Sequence, residues 1–244
     1  MRTLIVGLSL PHVTFDNATF LSAPSFSEYH HVVVDLASVA GSVQDVVDGT
    51  GAASTFGGQV VVNGPASAYA FPLADLLEMR RREATRLLET GGRVILIGSP
   101  VTAVTGVAEI AGWTNASWLP ELPEVAFDAL LKPGFGREGA VLTDAEHRFA
   151  PFITQLATRI GYRVEADEDV LATCEGGHVF ARSQGGAAIG FEFALGGGTA
   201  VVLPAINKPD RDRQQIAAGM IQSLDPTERE KATAEQANET TGVN

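Results

Sequence analysis

Between Leu73 and Ile97 an amphipathic helix, a double glycine and a short apolar run follow one another without interruption, and few folds accommodate that order. Leu73, Leu76, Leu77, Ala84, Leu87 and Leu88 recur at three- and four-residue intervals, which predicts one apolar stripe on a helix over Leu73–Glu89. Glu78 stands four residues before Arg82, a favourable pair on the other face. Gly91-Gly92 has the backbone freedom that ends a helix, and Arg93–Ile97 (RVILI) then reads as a strand covered on both faces. A helix running straight into such a strand predicts a strand–helix–strand unit, a parallel pair and a right-handed crossover.

Three more short β-branched runs match that strand: Thr3–Leu8 (TLIVGL), His31–Leu36 (HVVVDL) and Gln59–Asn63 (QVVVN). The stretch 101–142 is irregular and rich in Pro, Gly and aromatics, which predicts an excursion over the sheet edge or the site, with Trp113 and Trp118 either pinning it to the core or anchoring a lid. Thr143–Ile160 reads as a second helix, with Thr143 and Glu146 as a capping box. After it, Arg163–Ala166, His178–Ser183, Ala187–Ala194 and Thr199–Leu203 are strands joined by short glycine links, the mark of antiparallel hairpins. No helix follows Gly196-Gly197-Gly198, so the triple glycine reads as a turn and not as a phosphate cradle. A last helix spans Asp210–Leu224. The expected fold is therefore α/β: a flavodoxin-like three-layer sandwich with a largely parallel sheet and a C-terminal antiparallel hairpin portion. It occupies one domain over 1–224, and 225–244 is a flexible polar tail.

A formal charge of −12 argues against nucleic acid as a partner. The run Arg80-Arg81-Arg82, bracketed by Glu78 and Glu83, reads as a solvated helix face. The single cysteine excludes an internal disulfide, and no Cys/His spacing suits zinc. The apolar N-terminal run stops at Pro11 and His12 and reads as a first strand, not as a signal peptide. No segment approaches a membrane span, so a cytoplasmic protein without membrane contact is expected.

In an open α/β sheet, ligands bind outside the carboxyl ends of the parallel strands. That rule selects the loop carrying His12, Asp16 and Asn17, then Asp35, then Asn63 with Ser67 and Tyr69, then Ser99. A strained nucleophile elbow reads G-x-S-x-G, whereas here Gly98-Ser99-Pro100 lacks the second glycine, and Pro100 removes the N–H that would serve an oxyanion hole. Ser99 is thus a contact and not a nucleophile. Cys174 and His178 imitate a second elbow, but the strand after them breaks its context. Asp144, Glu146 and His147 suggest a metal only if His12, His30 or His31 joins them.

The pattern QVVVNGP, an amphipathic helix, LLETGGRVILIG and a closing GFEFALGGGTAVVLPA resembles the class I glutamine amidotransferase-like superfamily, particularly its ThuA-like and gliding-motility-type branches. The superfamily's cysteine would fall near Ser99, which is not cysteine, and its His and Glu partners match no motif here. The resemblance therefore implies the architecture without amidotransferase activity. The residues point to a non-catalytic ligand-binding or protein-interaction module, with His12, Asp16, Asn17, Asn63 and Ser99 contacting a small polar ligand. No cofactor is expected. The alternatives are a hydrolase of a sugar or amide, with His12 or Asp16 as base and with or without a metal, and a homo-oligomer or a subunit of a larger assembly.

Overall fold

In the computed structural model the described residues are 2–39, 41–42, 53–56, 59–62, 70–98, 104–105, 115–121, 127–135, 140–155, 162–206 and 213–225. The chain is α/β. Five strands, β1 (Thr3–Val6), β2 (Phe15–Ala18), β3 (His31–Asp35), β6 (Arg93–Ile97) and β13 (Gly198–Leu203), run parallel. The sheet continues antiparallel through β12 (Ala188–Leu195), β11 (His178–Ser183) and β9 (Ala140–Leu142), giving the order β2-β1-β3-β6-β13-β12-β11-β9.

Both faces are covered, which is why the central strands carry apolar residues without alternation. Leu4, Val32, Val94 and Val202 pack beneath helix α1 (Ala70–Glu89), whose Leu73, Leu77, Ala84, Leu87 and Leu88 are buried. Ile5, Val33, Ile95 and Val201 face the other way, against Phe152 and Ile153 of α3 (Ala150–Gln155) and Ile216 and Met220 of α5 (Arg213–Leu224). These are the three layers of a flavodoxin-like sandwich. The Gly91 and Gly92 N–H groups bond back to the Leu88 and Leu87 carbonyls at 2.9 Å each and end α1. Gly196 and Gly197 have φ of +61° and +95°, the two positive angles of a tight hairpin turn between Leu195 and Gly198.

The structure corrects several expectations. Gln59–Val62 is a strand (β5), but it pairs with β4 (Ala53–Phe56) and β7 (Val104–Thr105) in a separate three-stranded sheet. Helix α1 therefore leads into β6 beside β3, and the parallel neighbour of β6 is not the run that precedes the helix. Tyr162–Ala166 (β10) lies in a two-stranded sheet with β8 (Leu131–Phe135). In the region read as a second helix, the described helical residues are Ala150–Gln155, and the capping box does not form. Thr143 Oγ1 donates to the Val179 carbonyl, and the Glu146 N–H bonds to Asp144 Oδ1. Arg80 is not solvated; it is 2 % exposed. Residues 156–161, 207–212 and 226–244, with Trp113, lie outside the described residues.

Strand β2 was not expected. An eight-residue connection, 7–14, returns the chain from the carboxyl end of β1 to its amino end, so that Phe15 pairs with Thr3. Parallel neighbours normally need a longer crossover. Here the Asn17 amide fixes the return: its Oδ1 accepts from the Leu10 N–H at 2.8 Å and its Nδ2 donates to the Leu10 carbonyl at 3.0 Å.

Candidate functional site

The chain leaves β1 for β2 on one side and then reaches β3 on the other, so the topological switch point lies between the carboxyl ends of β1 and β3. Gly7, directly after β1, has φ of +84°, and a Cβ there would collide with Ser38 Oγ. The chain after β1 thus lies flat against the chain after β3. Ser38 Oγ donates to the Asp35 carbonyl at 2.7 Å, and the Ala37 N–H donates to Asp35 Oδ1 at 3.1 Å. Asn115, 1 % exposed, donates from Nδ2 to the Leu36 carbonyl at 3.1 Å, tying the 115–121 segment to the same wall. The Gly98 N–H at the tip of β6 bonds to the Leu203 carbonyl at 2.8 Å.

Asp35 is the ionisable group of this wall. Burial pushes its carboxyl up to about 6, against an ordinary 3.8, and the single Ala37 N–H only partly offsets this. Among the described residues no cation pairs with it. A half-buried carboxyl that exchanges its proton near neutrality both donates and accepts hydrogen bonds. Its position was legible at the end of the HVVVD run; its burial was not.

His12, Asp16 and Asn17 each have separate partners and are not gathered at this crevice. The β1–β2 register carries His12 and Thr14 to the amino end of β1. There His12 Nδ1 lies 2.7 Å from Thr14 Oγ1, the ring packs on Phe15, and both residues line a cavity of about 210 Å³ with Thr3, Ile221 and Leu224. Asp16 is half exposed and ion-paired to Arg2 at 2.8 Å, which holds its carboxyl below the ordinary range. Asn17 is spent on closing the loop. Asn63 and Ser99 lie outside the described residues. The expectation of one crevice holding all five fails for the first three because FDNA forms an edge strand instead of a loop hanging from a strand tip.

Two His–carboxylate pairs explain the segment that suggested a metal. His178 Nε2 lies 3.1 Å from Asp144 Oδ2. His147 is stacked on Phe180 at 3.8 Å, and its Nε2 is 3.3 Å from Glu192 Oε1, close enough for charge attraction but not aligned as a hydrogen bond. His147 holds the Glu192 carboxyl below its ordinary value. Among the described residues no group of three or more His, Cys, Asp or Glu side chains is disposed to hold a metal. Cys174 Sγ donates weakly to the Val170 carbonyl at 3.5 Å, and burial raises its thiol, so among the described residues it has neither a base nor an activating partner.

No family model matches this chain. No curated protein matches it either. Among solved structures, a cytoplasmic protein of Salmonella typhimurium superposes with a TM-score of 0.39 at 8% identity, over 91% of this chain and 98% of that one. No helix among the described residues is long and apolar enough to cross a membrane.

Proposed function

We propose that the protein is a cytoplasmic ligand-binding module built on a glutamine amidotransferase-like architecture, which takes a small polar ligand at the carboxyl ends of β1, β3 and β6. The observation that carries this reading is the Asp35 carboxyl, half-buried at the topological switch point and, among the described residues, without a cation beside it. A ligand rich in hydroxyl or amide groups suits a carboxyl able to donate and accept. The test is a thermal-shift and calorimetric screen of free sugars and primary amides near pH 6, repeated on Asp35→Asn. A ligand should emerge whose affinity falls at least about tenfold in the variant. Binding that ignores the substitution, or a screen without binders, would overturn the reading.

A second reading, a hydrolase of a sugar or amide, rests on the same residue, because a carboxyl titrating near neutrality suits general acid–base work. His12 and Asp16, the bases suggested by the sequence, stand at the other end of the sheet. Turnover of a panel substrate that disappears in Asp35→Asn and survives in His12→Ala would establish this reading over simple binding.

Asp35 also gives the fold a pH signature. The folded chain holds this proton more tightly than the unfolded chain, so the contribution to stability is complete below about pH 4 and is lost as pH rises through 6. Asparagine keeps an oxygen for the Ala37 N–H but has no proton to lose. Asp35→Asn is therefore expected to exceed the parent in urea stability by up to about 3 kcal/mol above pH 7, and to gain nothing near pH 4. A stability difference that does not vary with pH would contradict it.

A further inference from the structure

At the amino ends of the parallel strands, one row across the sheet reads Thr3, His31, Arg93, Thr199, each the register partner of the next. Two residues further along each strand, Ile5, Val33, Ile95 and Val201 are buried against α3 and α5. Strand alternation places the side chains of the row on that same face. His31 is 2 % exposed, and neither of its ring nitrogens has a hydrogen-bond partner. Buried polar atoms are seldom left in that condition. The surroundings are positive: burial first, then Arg93 and Arg148, drive the His31 pKa down to about 3. Arg93 is itself half-buried, its guanidinium pushed down by burial and by Arg148. Among the described residues neither guanidinium has an ion pair or a side-chain hydrogen bond. The acid whose charge acts on this group is Glu192, which is engaged with His147.

We propose that His31, Arg93 and Arg148 form a binding site for a small tetrahedral oxyanion of the phosphate class, on the α3/α5 face at the amino ends of β3 and β6. A water molecule would satisfy one His31 nitrogen but leave the Arg93 and Arg148 charges without an opposing partner among the described residues. A phosphate oxyanion brings negative charge and several acceptors, which suits the Arg93 guanidinium and the His31 imidazole N–H on neighbouring strands, with the Arg148 charge acting on both. A monocarboxylate offers only two oxygens and one charge. The site lies at the opposite end of the sheet from Asp35, so it stands or falls independently of the function proposed above.

The test is a titration of the full chain with inorganic phosphate near pH 7 at low salt, following the His31 ring resonances by NMR, with acetate in a parallel arm. Phosphate should produce a saturable shift of His31 toward the imidazolium, since a bound anion favours the charged ring. Arg93→Gln and Arg148→Gln should each weaken binding at least about tenfold. Glu192→Gln should tighten it by removing the opposing carboxylate. The proposal is overturned if phosphate moves His31 no more than acetate does, if the shift does not saturate, or if both arginine variants bind like the parent. Arg148 is only partly buried, so its variant keeps the fold, and the wild-type arm decides the question even if Arg93→Gln does not fold.

Discussion

Arg80→Ala is expected to destabilise the protein by about 3–5 kcal/mol, the usual effect of removing one partner of a buried charge pair. The Arg80 guanidinium sits where a leucine would be unremarkable, and it donates to the Phe20, Ala23 and Pro24 carbonyls at 3.2, 2.6 and 3.1 Å. It also pairs with Glu83 at 2.7 Å, a carboxylate that itself accepts from the Phe26 N–H. The face of Phe26 lies 4.8 Å from its charge. Truncation leaves three loop carbonyls without their donor and Glu83 without its cation. At this chain length the loss corresponds to a melting point lower by roughly 6–20 °C. Arg80→Lys should fall between parent and alanine, because a compact ammonium cannot span the same acceptors as a planar fork. Arg82→Ala, two residues on and exposed, should stay within about 0.5 kcal/mol. Urea denaturation of the three variants provides the comparison, and equal losses at positions 80 and 82 would contradict the buried role.

Arg80 also shows what sequence reasoning can and cannot recover. Three consecutive arginines between glutamates look like a solvated face, and for Arg82 that holds. Yet Leu73, Leu77, Arg80, Ala84 and Leu87 fall at alternating four- and three-residue steps, so Arg80 occupies the apolar stripe itself. The spacing carried the signal. What makes the position tolerable is the set of carbonyls at 20–24, which reaches it from fifty-six or more residues away. The same division runs through the fold. Features set by neighbours in sequence were readable: the helix stop at Gly91-Gly92, the Gly196-Gly197 turn and the buried core strands. Features set by distant partners were not. Gln59–Val62 has the composition of a strand, but which sheet it joins depends on 53–56 and 104–105. FDNA is too polar to announce itself as a strand, and it becomes one because β1 offers a free edge and Asn17 closes the return. That strand is also why His12 and Asp16 stand toward the amino end of β1 and not at a strand tip. Asp35 lay in plain view at a strand tip, but its importance comes from burial, a property of the packed layers.

Trp118→Ala is the second large effect, about 3–5 kcal/mol from lost transfer energy and the cavity left behind. The indole is fully buried, and its Nε1 donates to the Asn115 carbonyl at 2.8 Å. Its ring meets Phe20 and Phe26 edge-on at 5.8 and 5.6 Å, the same two rings that flank the Arg80 guanidinium. Positions 80 and 118 therefore share partners, and their substitutions should not add. The full truncations together would exhaust the stability of an ordinary domain, so the milder pair Arg80→Lys and Trp118→Phe is the practical cycle. An interaction energy of about 0.5–3 kcal/mol is expected, against less than about 0.5 for independent sites. The coupling extends toward the crevice, because Asn115, which accepts from Trp118, is the residue that holds the Leu36 carbonyl beside Asp35. Loosening the indole should therefore weaken any ligand that depends on Asp35, while the Arg82→Ala control leaves it unchanged. Additive stabilities at 80 and 118, together with undiminished ligand binding in Trp118→Phe, would mean that this aromatic cluster supports the α1 layer alone and does not fix the wall of the site.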